Sequence, residues 1–493
     1  MNVHETMELL KAALGAPSDE LRKSITTGTG LVAYDLQAPA KNLYPVATPL
    51  RNRLPRVGGG IGTATNWKVI QAIIGSGFDS MGWVPEGQRS AQMSYGTGDK
   101  SAAFRTLGEE DSITREAINA AKGFEDAKAR MVMRLLQKLM LKEEMALLAG
   151  NASLNLGTCP TPTLSAGGSG ATLPAATYSV ICVPLTMEGY KNFTVASGIT
   201  ASQTITGADG KTFTLKGGVG QKSAAATQAI TLGQVLSCSV TPVRGAVAYA
   251  WYVGTAGNEK LEKITTLNST TFNAPLAGTG QAASALPSSD NSSNSLAFDG
   301  LLTAALKSDS GAYYNALPTG TAGTGTALTS SGKGSINEID AMLKTMWDTY
   351  QVSPTVLWVN SQEQQNITSK VLNGSSAPLL RVNTDAKEPF AIVANGVVEY
   401  YFNPFGLGGG RKIPILLHPN LPAGTILGWA EDLPAQYQSN EVPNVAEVRT
   451  RADYYQIDWP ARTRADEVGV YCEEVPAVYA PFAMGVLTNI ANG

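Results

Sequence analysis

Charge is scarce in this sequence. Asp, Glu, Lys and Arg make up 16% of its 493 residues, where about 25% is usual for a globular chain. A surface so poor in charge is either hidden in contacts or built from Ser, Thr and Gly. The net charge of −3 excludes the global basic field that marks many nucleic-acid binders. Histidine is nearly absent, with only His4 and His418, and the four cysteines, Cys159, Cys182, Cys238 and Cys472, form no C-x-x-C pair. That scarcity argues against a His/Cys metal site. Buried free thiols are expected, with a Cys182–Cys238 bridge across a sandwich as the other option. No run of 18 apolar residues offers a membrane span. MNVHETMELLKAAL is too polar for a signal peptide and reads as a short amphipathic helix carrying Met7, Leu10 and Leu14. Numbering from Met1 carries the expectation of a chain that is not trimmed.

Catalytic motifs are missing as well. GGGIG at 58–62 fails the G-x-G-x-x-G pattern and reads as a hinge. The GKGS that ends at Ser335 does not complete a Walker loop, because position 327 is Ala. EEDS and CEEV hold adjacent carboxylates, but neighbours on a strand point to opposite faces. No nucleophile elbow or zinc set is present. The expectation is a non-enzyme with no catalytic, cofactor-binding or metal-binding residues and no cofactor.

What is present begins with one long helix, predicted over Asp111–Asn151. Phe124, Ala127, Met131, Val132, Leu135, Leu136, Leu139, Met140, Met145 and Leu148 follow a 3.6-residue period. Gly150 and Asn151 supply the stop. Such a helix would be roughly 40 Å long at 1.5 Å per residue. The stripe does not persist through clean heptads, which argues against a coiled coil. Before it, Pro39, Pro45, Pro49 and Pro55 space an extended arm that also carries Arg51, Arg53 and Arg56. Residues 64–111 read as a two-stranded excursion with a polar tip, GWVPEGQRS. A ribbon of that kind is marginal alone in water, so it should rest on another subunit.

Residues from about 157 to 297 shift to Thr, Ser, Ala and Gly. Short β runs follow at 176–183, 203–206, 211–216, 228–232, 235–241, 247–253, 260–267 and 270–274. That spacing predicts a β-sandwich. The stretch 240–272, with its Pro-x-x-Gly-Ala turn and the Tyr249/Trp251/Tyr252 alternation, resembles half of a fibronectin type III or immunoglobulin-like module. The aromatics are either sandwich core or a carbohydrate-facing set. SSDNSSNS at 288–295 reads as a linker. An α/β domain follows, with a capping box at Ser335 and Glu338 opening one helix. From 440 onward the chain reads as strand, and its apolar end should pack on the long helix.

Taken in order, these segments resemble the major capsid proteins of tailed bacteriophages with the Hong Kong 97 fold. LRNRLPRVGGGIGTATNWKV is similar to the arm-to-loop junction, VPEGQRSAQMSY to the E-loop, and LKEEMALLAGNAS to the end of the spine helix. FDGLLTAAL and PTVLWVNSQEQQNI resemble A-domain elements, and the last 50 residues the P-domain strands. The implied fold is α+β: an N-terminal arm (1–63), E-loop (64–111), spine helix (112–156), inserted immunoglobulin-like sandwich (157–297), A-domain (298–438) and P-domain strands (439–493). The implied partner is the chain itself, in hexamers and pentamers of an icosahedral shell that holds double-stranded DNA without sequence-specific binding. Scaffold, portal and decoration proteins are further implied partners, and no membrane is. The implied location is the virion, after assembly in the host bacterial cytoplasm. The insert would sit on the outside, with weak contact to glycans or host surfaces. An encapsulin-type compartment shell and a surface adhesin carrying an immunoglobulin-like module are the alternatives.

Some members of that family cross-link through a lysine after the Glu-Gly of the E-loop. Here Glu86 and Gly87 precede Gln88, Arg89 and Ser90. Arginine stays protonated and cannot serve as the amine nucleophile; Lys100 is the nearest lysine. A non-covalent shell is expected. Arg51, Arg53, Arg56, Glu86, Arg89, Arg105, Glu109 and Glu110 are the candidates for ion pairs between subunits. The alternative is solvated surface charge, worth about 0–1 kcal/mol per pair.

Overall fold

Gly150 and Gly300 lie side by side, the Gly300 amide donating to the Gly150 carbonyl at 2.8 Å. Everything between them therefore leaves and re-enters the chain at one point, the geometry an inserted domain requires. Gly300 has no room for a side chain: a Cβ there would stand 2.6 Å from the Ala146 carbonyl oxygen. The computed structural model describes residues 45–74, 83–90, 92–122, 125–207, 209–286, 288–331, 334–373, 381–382, 392–393, 398–406, 409–434 and 444–491. The predicted N-terminal helix with Met7, Leu10 and Leu14, and His4, lie outside them.

The described chain opens with β1 (Arg56–Val57), β2 (Ala64–Ile74), β3 (Ser94–Ala103) and β4 (Arg105–Thr114), then α1 (Arg115–Ala120) and α2 (Ala127–Ala149). The insert holds β5 (Thr163–Gly167), β6 (Ala176–Leu185), α3 (Met187–Asn192), β7 (Ser202–Thr206), β8 (Thr212–Lys216), β9 (Ala226–Ile230), β10 (Val235–Ser239), β11 (Ala248–Gly254), β12 (Lys260–Thr265) and β13 (Ser269–Phe272). Past Gly300 come α4 (Leu301–Leu306), β14 (Tyr313–Ala316), α5 (Asn337–Tyr350), β15 (Val356–Val359) and α6 (Ser361–Asn373). The strands β16 (Arg381–Val382), β17 (Ile392–Val393), β18 (Tyr400–Asn403), β19 (Arg411–Leu417) and β20 (Ile426–Trp429) follow. The chain closes with β21 (Ala446–Asp458), β22 (Ala465–Val478) and β23 (Met484–Thr488). The class is α+β, as the sequence predicts.

The predicted single helix over 111–151 is shorter than expected. Residues up to Thr114 are strand, because β4 pairs with β22 along its whole length, from Arg105↔Glu474 to Thr114↔Ala465. Strand pairing to a distant segment overrides local helical preference there. Asp126 then starts α2 afresh, its carboxylate accepting from the Lys128 and Ala129 amides. The predicted stripe is confirmed where it matters: Met131, Leu135, Leu139 and Leu148 are buried. The two-stranded ribbon is likewise only β2 and β3, paired from Ala64↔Ala103 to Ile74↔Ser94. β4 belongs to a four-stranded sheet in the order β1-β21-β22-β4, against which α2 lies.

The insert is a sandwich of two sheets, β13-β10-β5 and β12-β11-β6-β9, with β7–β8 as a separate hairpin. Tyr249 and Trp251 sit in the core between the sheets with Cys182, Cys238, Leu236 and Phe272. Trp251 Nε1 donates to Thr265 Oγ1 at 2.9 Å, and Tyr249 Oη accepts from the Val243 amide at 2.8 Å. Tyr252 takes the opposite face and is buried too, beneath Ile199, Val219 and Leu286. The carbohydrate-facing reading of these aromatics is therefore overturned. All four cysteines are free and buried, so no Cys182–Cys238 bridge forms. Trp251→Ala is expected to cost the sandwich about 3–5 kcal/mol. Hydrogen exchange in urea would show an earlier transition for β6 and β11; an unchanged one contradicts the core placement.

The predicted linker at 288–295 is a tied seam. Asp290 accepts from the Gly157 amide at 2.8 Å, Ser292 Oγ from the Leu156 amide at 2.9 Å, and Asn151 donates to the Ser292 carbonyl at 2.9 Å. Short polar side chains bind backbone here instead of water. A second seam joins the insert to the α/β unit. Arg244 donates to the carbonyls of Leu306 and Lys307, and Asn268 pairs with Asn489 and Thr319.

The α/β unit is a six-stranded mixed sheet in the order β14-β23-β20-β15-β19-β18. Ile339, Met342, Leu343 and Met346 of α5 pack against it. The apolar C-terminal run thus becomes an inner strand of this sheet and not a neighbour of β21 and β22, while its Met484 and Val486 share one core cluster with Leu147 and Leu148 of the long helix, as expected. Gly485 is what lets α5 approach: a Cβ there would stand 2.6 Å from Met342 Sδ. The Ser335 capping box does not form. Ile336 precedes α5 without a side-chain cap, and Glu338 accepts from the Thr329 amide instead.

Candidate functional site

The most heavily bonded polar cluster of the molecule lies where the arm meets the body. Residues 48–57 form a strap across the C-terminal half of α2. Leu50 and Leu54 go into the main core. Beside them, Glu144 of α2 is fully buried and takes three donors: the Leu50 amide at 2.9 Å, the Arg51 amide at 2.7 Å and His418 Nε2 at 2.7 Å. Its neighbour Glu143, equally buried, receives Arg51 Nε at 2.8 Å, Arg56 and the Tyr454 hydroxyl. Arg56 is the hub. It reaches Glu143, Asp453 at 2.8 Å and Glu474 at 3.0 Å, drawing together α2, β21 and β22. Its guanidinium and that of Arg51 both lie over the Tyr454 ring, at 5.3 and 5.1 Å from the centroid.

The electrostatics follow from burial. Burial alone would depress Arg56, but Glu143 and Glu474 outweigh it and hold the guanidinium above its ordinary value. Burial, then the neighbouring Glu143 carboxylate, pushes Glu474 up to about 8, against the pull of Arg56. Tyr454 is raised by burial and by its bond to Glu143. Glu363, buried at the start of α6 with the Gly424 amide on one oxygen, is pushed by burial to about 7.

The second element is the ribbon. At its base Trp67 meets Tyr479 edge-on at 5.2 Å, and Lys100 faces Asp309 at 3.6 Å. Toward its tip nothing among the described residues covers it. Residues 83–90 are all exposed, and Trp83 (93%), Met93 (68%), Tyr95 (63%) and Val84 (45%) present apolar surface to solvent.

Of the residues proposed for pairing between subunits, six have partners within the chain. Arg51 and Arg56 belong to the buried cluster, and Arg53 forms a two-pronged pair with Glu431. Arg105 donates to the Ala297 carbonyl at 3.1 Å, Glu109 pairs with Lys142, and Glu110 accepts from the Tyr471 hydroxyl. Glu86 and Arg89 are exposed at the ribbon tip. Glu143, Glu144, Glu474, Tyr454 and His418 are not among the site residues the sequence suggests. One signal was available: Leu135, Leu139 and Glu143 are spaced by four, as are Met140, Glu144 and Leu148, so both glutamates continue apolar rows.

Among the described residues no group of three or more His, Cys, Asp or Glu could hold a metal ion. No described helix is long and apolar enough to cross a membrane.

No protein-family model matches the chain, and no curated protein matches its sequence. Among solved structures it is similar to the capsid of a native GTA particle, at 10% identity and TM-score 0.43, covering 95% of this chain and 99% of that one. It is similar to the capsid of Myoviridae phage XM1, at 10% identity and TM-score 0.40, covering 94% and 99%. It is also similar to the SrpI encapsulin of Synechococcus elongatus PCC 7942, at 8% identity and TM-score 0.34, covering 93% of each chain. At such scores the likeness is one of general chain course and assigns no residue a role.

Proposed function

We propose that this chain is a shell subunit that self-assembles into the icosahedral head of a tailed bacteriophage and encloses double-stranded DNA. The observation that carries the reading is the ribbon of β2 and β3. Two strands alone are marginal in water, and this pair ends in exposed Trp83, Val84, Met93 and Tyr95. A ribbon with an apolar, uncovered end gains its stability from a surface outside its own chain. Repetition of one such contact by identical subunits closes into rings and shells. The strap supports the same reading, since a buried cluster anchors the base of the arm to the body. Glu86 and Arg89, beside the apolar tip, are the charges placed to pair across that contact.

In this reading hexamers and pentamers build the shell in the bacterial cytoplasm, with scaffold, portal and decoration proteins as further partners. The immunoglobulin-like insert faces outward. Its two seams hold it rigidly, which suits a part displayed in fixed orientation. The test is negative-stain electron microscopy of the full chain expressed alone. Closed polyhedra, or rings of five and six, are expected. A monodisperse monomer, persisting when the neighbouring genes are co-expressed, overturns the reading. Particles filled with protein in place of DNA would make it an encapsulin-type compartment.

A further inference from the structure

Glu143 and Glu474 face each other out of water. Neither side chain has any exposure, and their carboxyls lie in hydrogen-bonding contact. One Glu474 oxygen takes Arg56, while Oε1 is buried with no donor. Two carboxyls in such contact are stable only with a proton between them. The groups around the pair are Arg51 and Arg56 from the strap, Asp453 and Tyr454 from β21, and Cys472 from β22 itself. Arg105, opposite Glu474 in the β4–β22 register, gives its Nε to the Ala297 carbonyl. Glu473 pairs with Arg451 and Tyr455. With one proton on the pair, Arg51 and Arg56 are matched by Glu143 and Asp453, two charges of each sign. Without it two like charges stand against each other out of water, while Asp453, the third carboxylate on Arg56, is more than half exposed.

We propose that the strap is a proton-gated latch: a proton held by Glu474 where it faces Glu143 keeps residues 48–57 docked on α2 and β21, and its loss frees them. The strap joins the arm to the ribbon, so the latch governs both elements through which subunits would meet. The sign follows from where the proton is held. Docked, Glu474 keeps it up to about pH 8; solvated, it loses it near the ordinary carboxyl value of 4.5. Docking is therefore strongest below that lower value, weakens as pH rises towards 8, and is level beyond. Between pH 7 and pH 9 the docked-to-undocked ratio falls about tenfold.

The strap carries its own reporters, since trypsin cleaves after Arg51, Arg53 and Arg56. Cleavage there is measured on the purified, unassembled full chain and divided by the rate on a free peptide of the same sequence at each pH. About a tenfold rise from pH 7 to pH 9 is expected for the wild type, and no rise for Glu474→Gln, which keeps the shape but cannot ionise. A flat wild-type profile, or the same rise in Glu474→Gln, overturns the latch. If the variant fails to fold, exchange of the Leu50 and Arg51 amides in the wild type, corrected for intrinsic rate, decides. Faster exchange there than in α5 supports the latch, and parallel change in both overturns it. The latch belongs to the single chain, so it fails or stands apart from the shell reading.

Discussion

Arg56→Ala is expected to lower the first thermal transition of the protein by roughly 10 °C. Arg56 serves three carboxylates, two of them on fully buried side chains. Removing one partner of a buried ionic cluster leaves uncompensated charge and costs about 3–5 kcal/mol. In a unit of 150–250 residues each kcal/mol moves the midpoint by about 2–4 °C. Arg56→Lys is expected to recover only part of the loss, because an ammonium is a point donor and cannot fork between Glu143, Asp453 and Glu474. Arg53→Ala is the contrast. Its partner Glu431 and its own side chain are both partly exposed, and such a pair contributes about 1 kcal/mol or less. Differential scanning calorimetry of the three variants separates these outcomes. Equal small shifts for Arg53→Ala and Arg56→Ala would show that the buried cluster does not hold the strap.

The second large effect is expected in assembly. Trp83→Asp combined with Met93→Asp should abolish closed particles while leaving the monomer's thermal transitions within about 2–4 °C. Both side chains are exposed in the single chain, and exposed substitutions that break no internal contact change stability by roughly 0.5 kcal/mol or less. In an interface the same positions are anchors: large apolar side chains at the centre of a contact carry about 2 kcal/mol or more each. Placing two carboxylates in that contact adds the cost of desolvating charge. Light scattering and electron microscopy on matched amounts of wild type and variant provide the measurement. Normal particles from the double variant would remove the ribbon tip from the assembly contact. A variant that also loses its monomer transitions would place Trp83 and Met93 in the fold of the chain.

The spacing of apolar residues made much of this architecture legible. The sandwich strands fall within a few residues of the predicted runs, because alternation and turn residues are local signals. Met131, Leu135 and Leu139 are buried as their period requires. The failures share one cause. Residues 111–114 became strand because β22 lies beside them, not because of their own preference. The apolar end of the chain became an inner strand because Gly485 and Gly428 admit Met342 of α5. In the 288–295 stretch, polar enough for a linker, Asn291, Ser292 and Asn294 are buried, and the backbone amides of 156 and 157 are bound by its side chains.

By itself the sequence determined the β-sandwich, the long helix and the absence of recognisable catalytic motifs, since each rests on composition or on periods of two and 3.6 residues. The tertiary structure alone decided what the charges do. Arg51, Arg53 and Arg56 read as charges on an extended arm, either for pairs between subunits or for solvent. Folding brings Arg56 to Glu143 and Glu474, 87 and 418 positions away in the chain. A charge announces its sign in the sequence but not its partner, and in a buried site the partner sets both the energy and the proton.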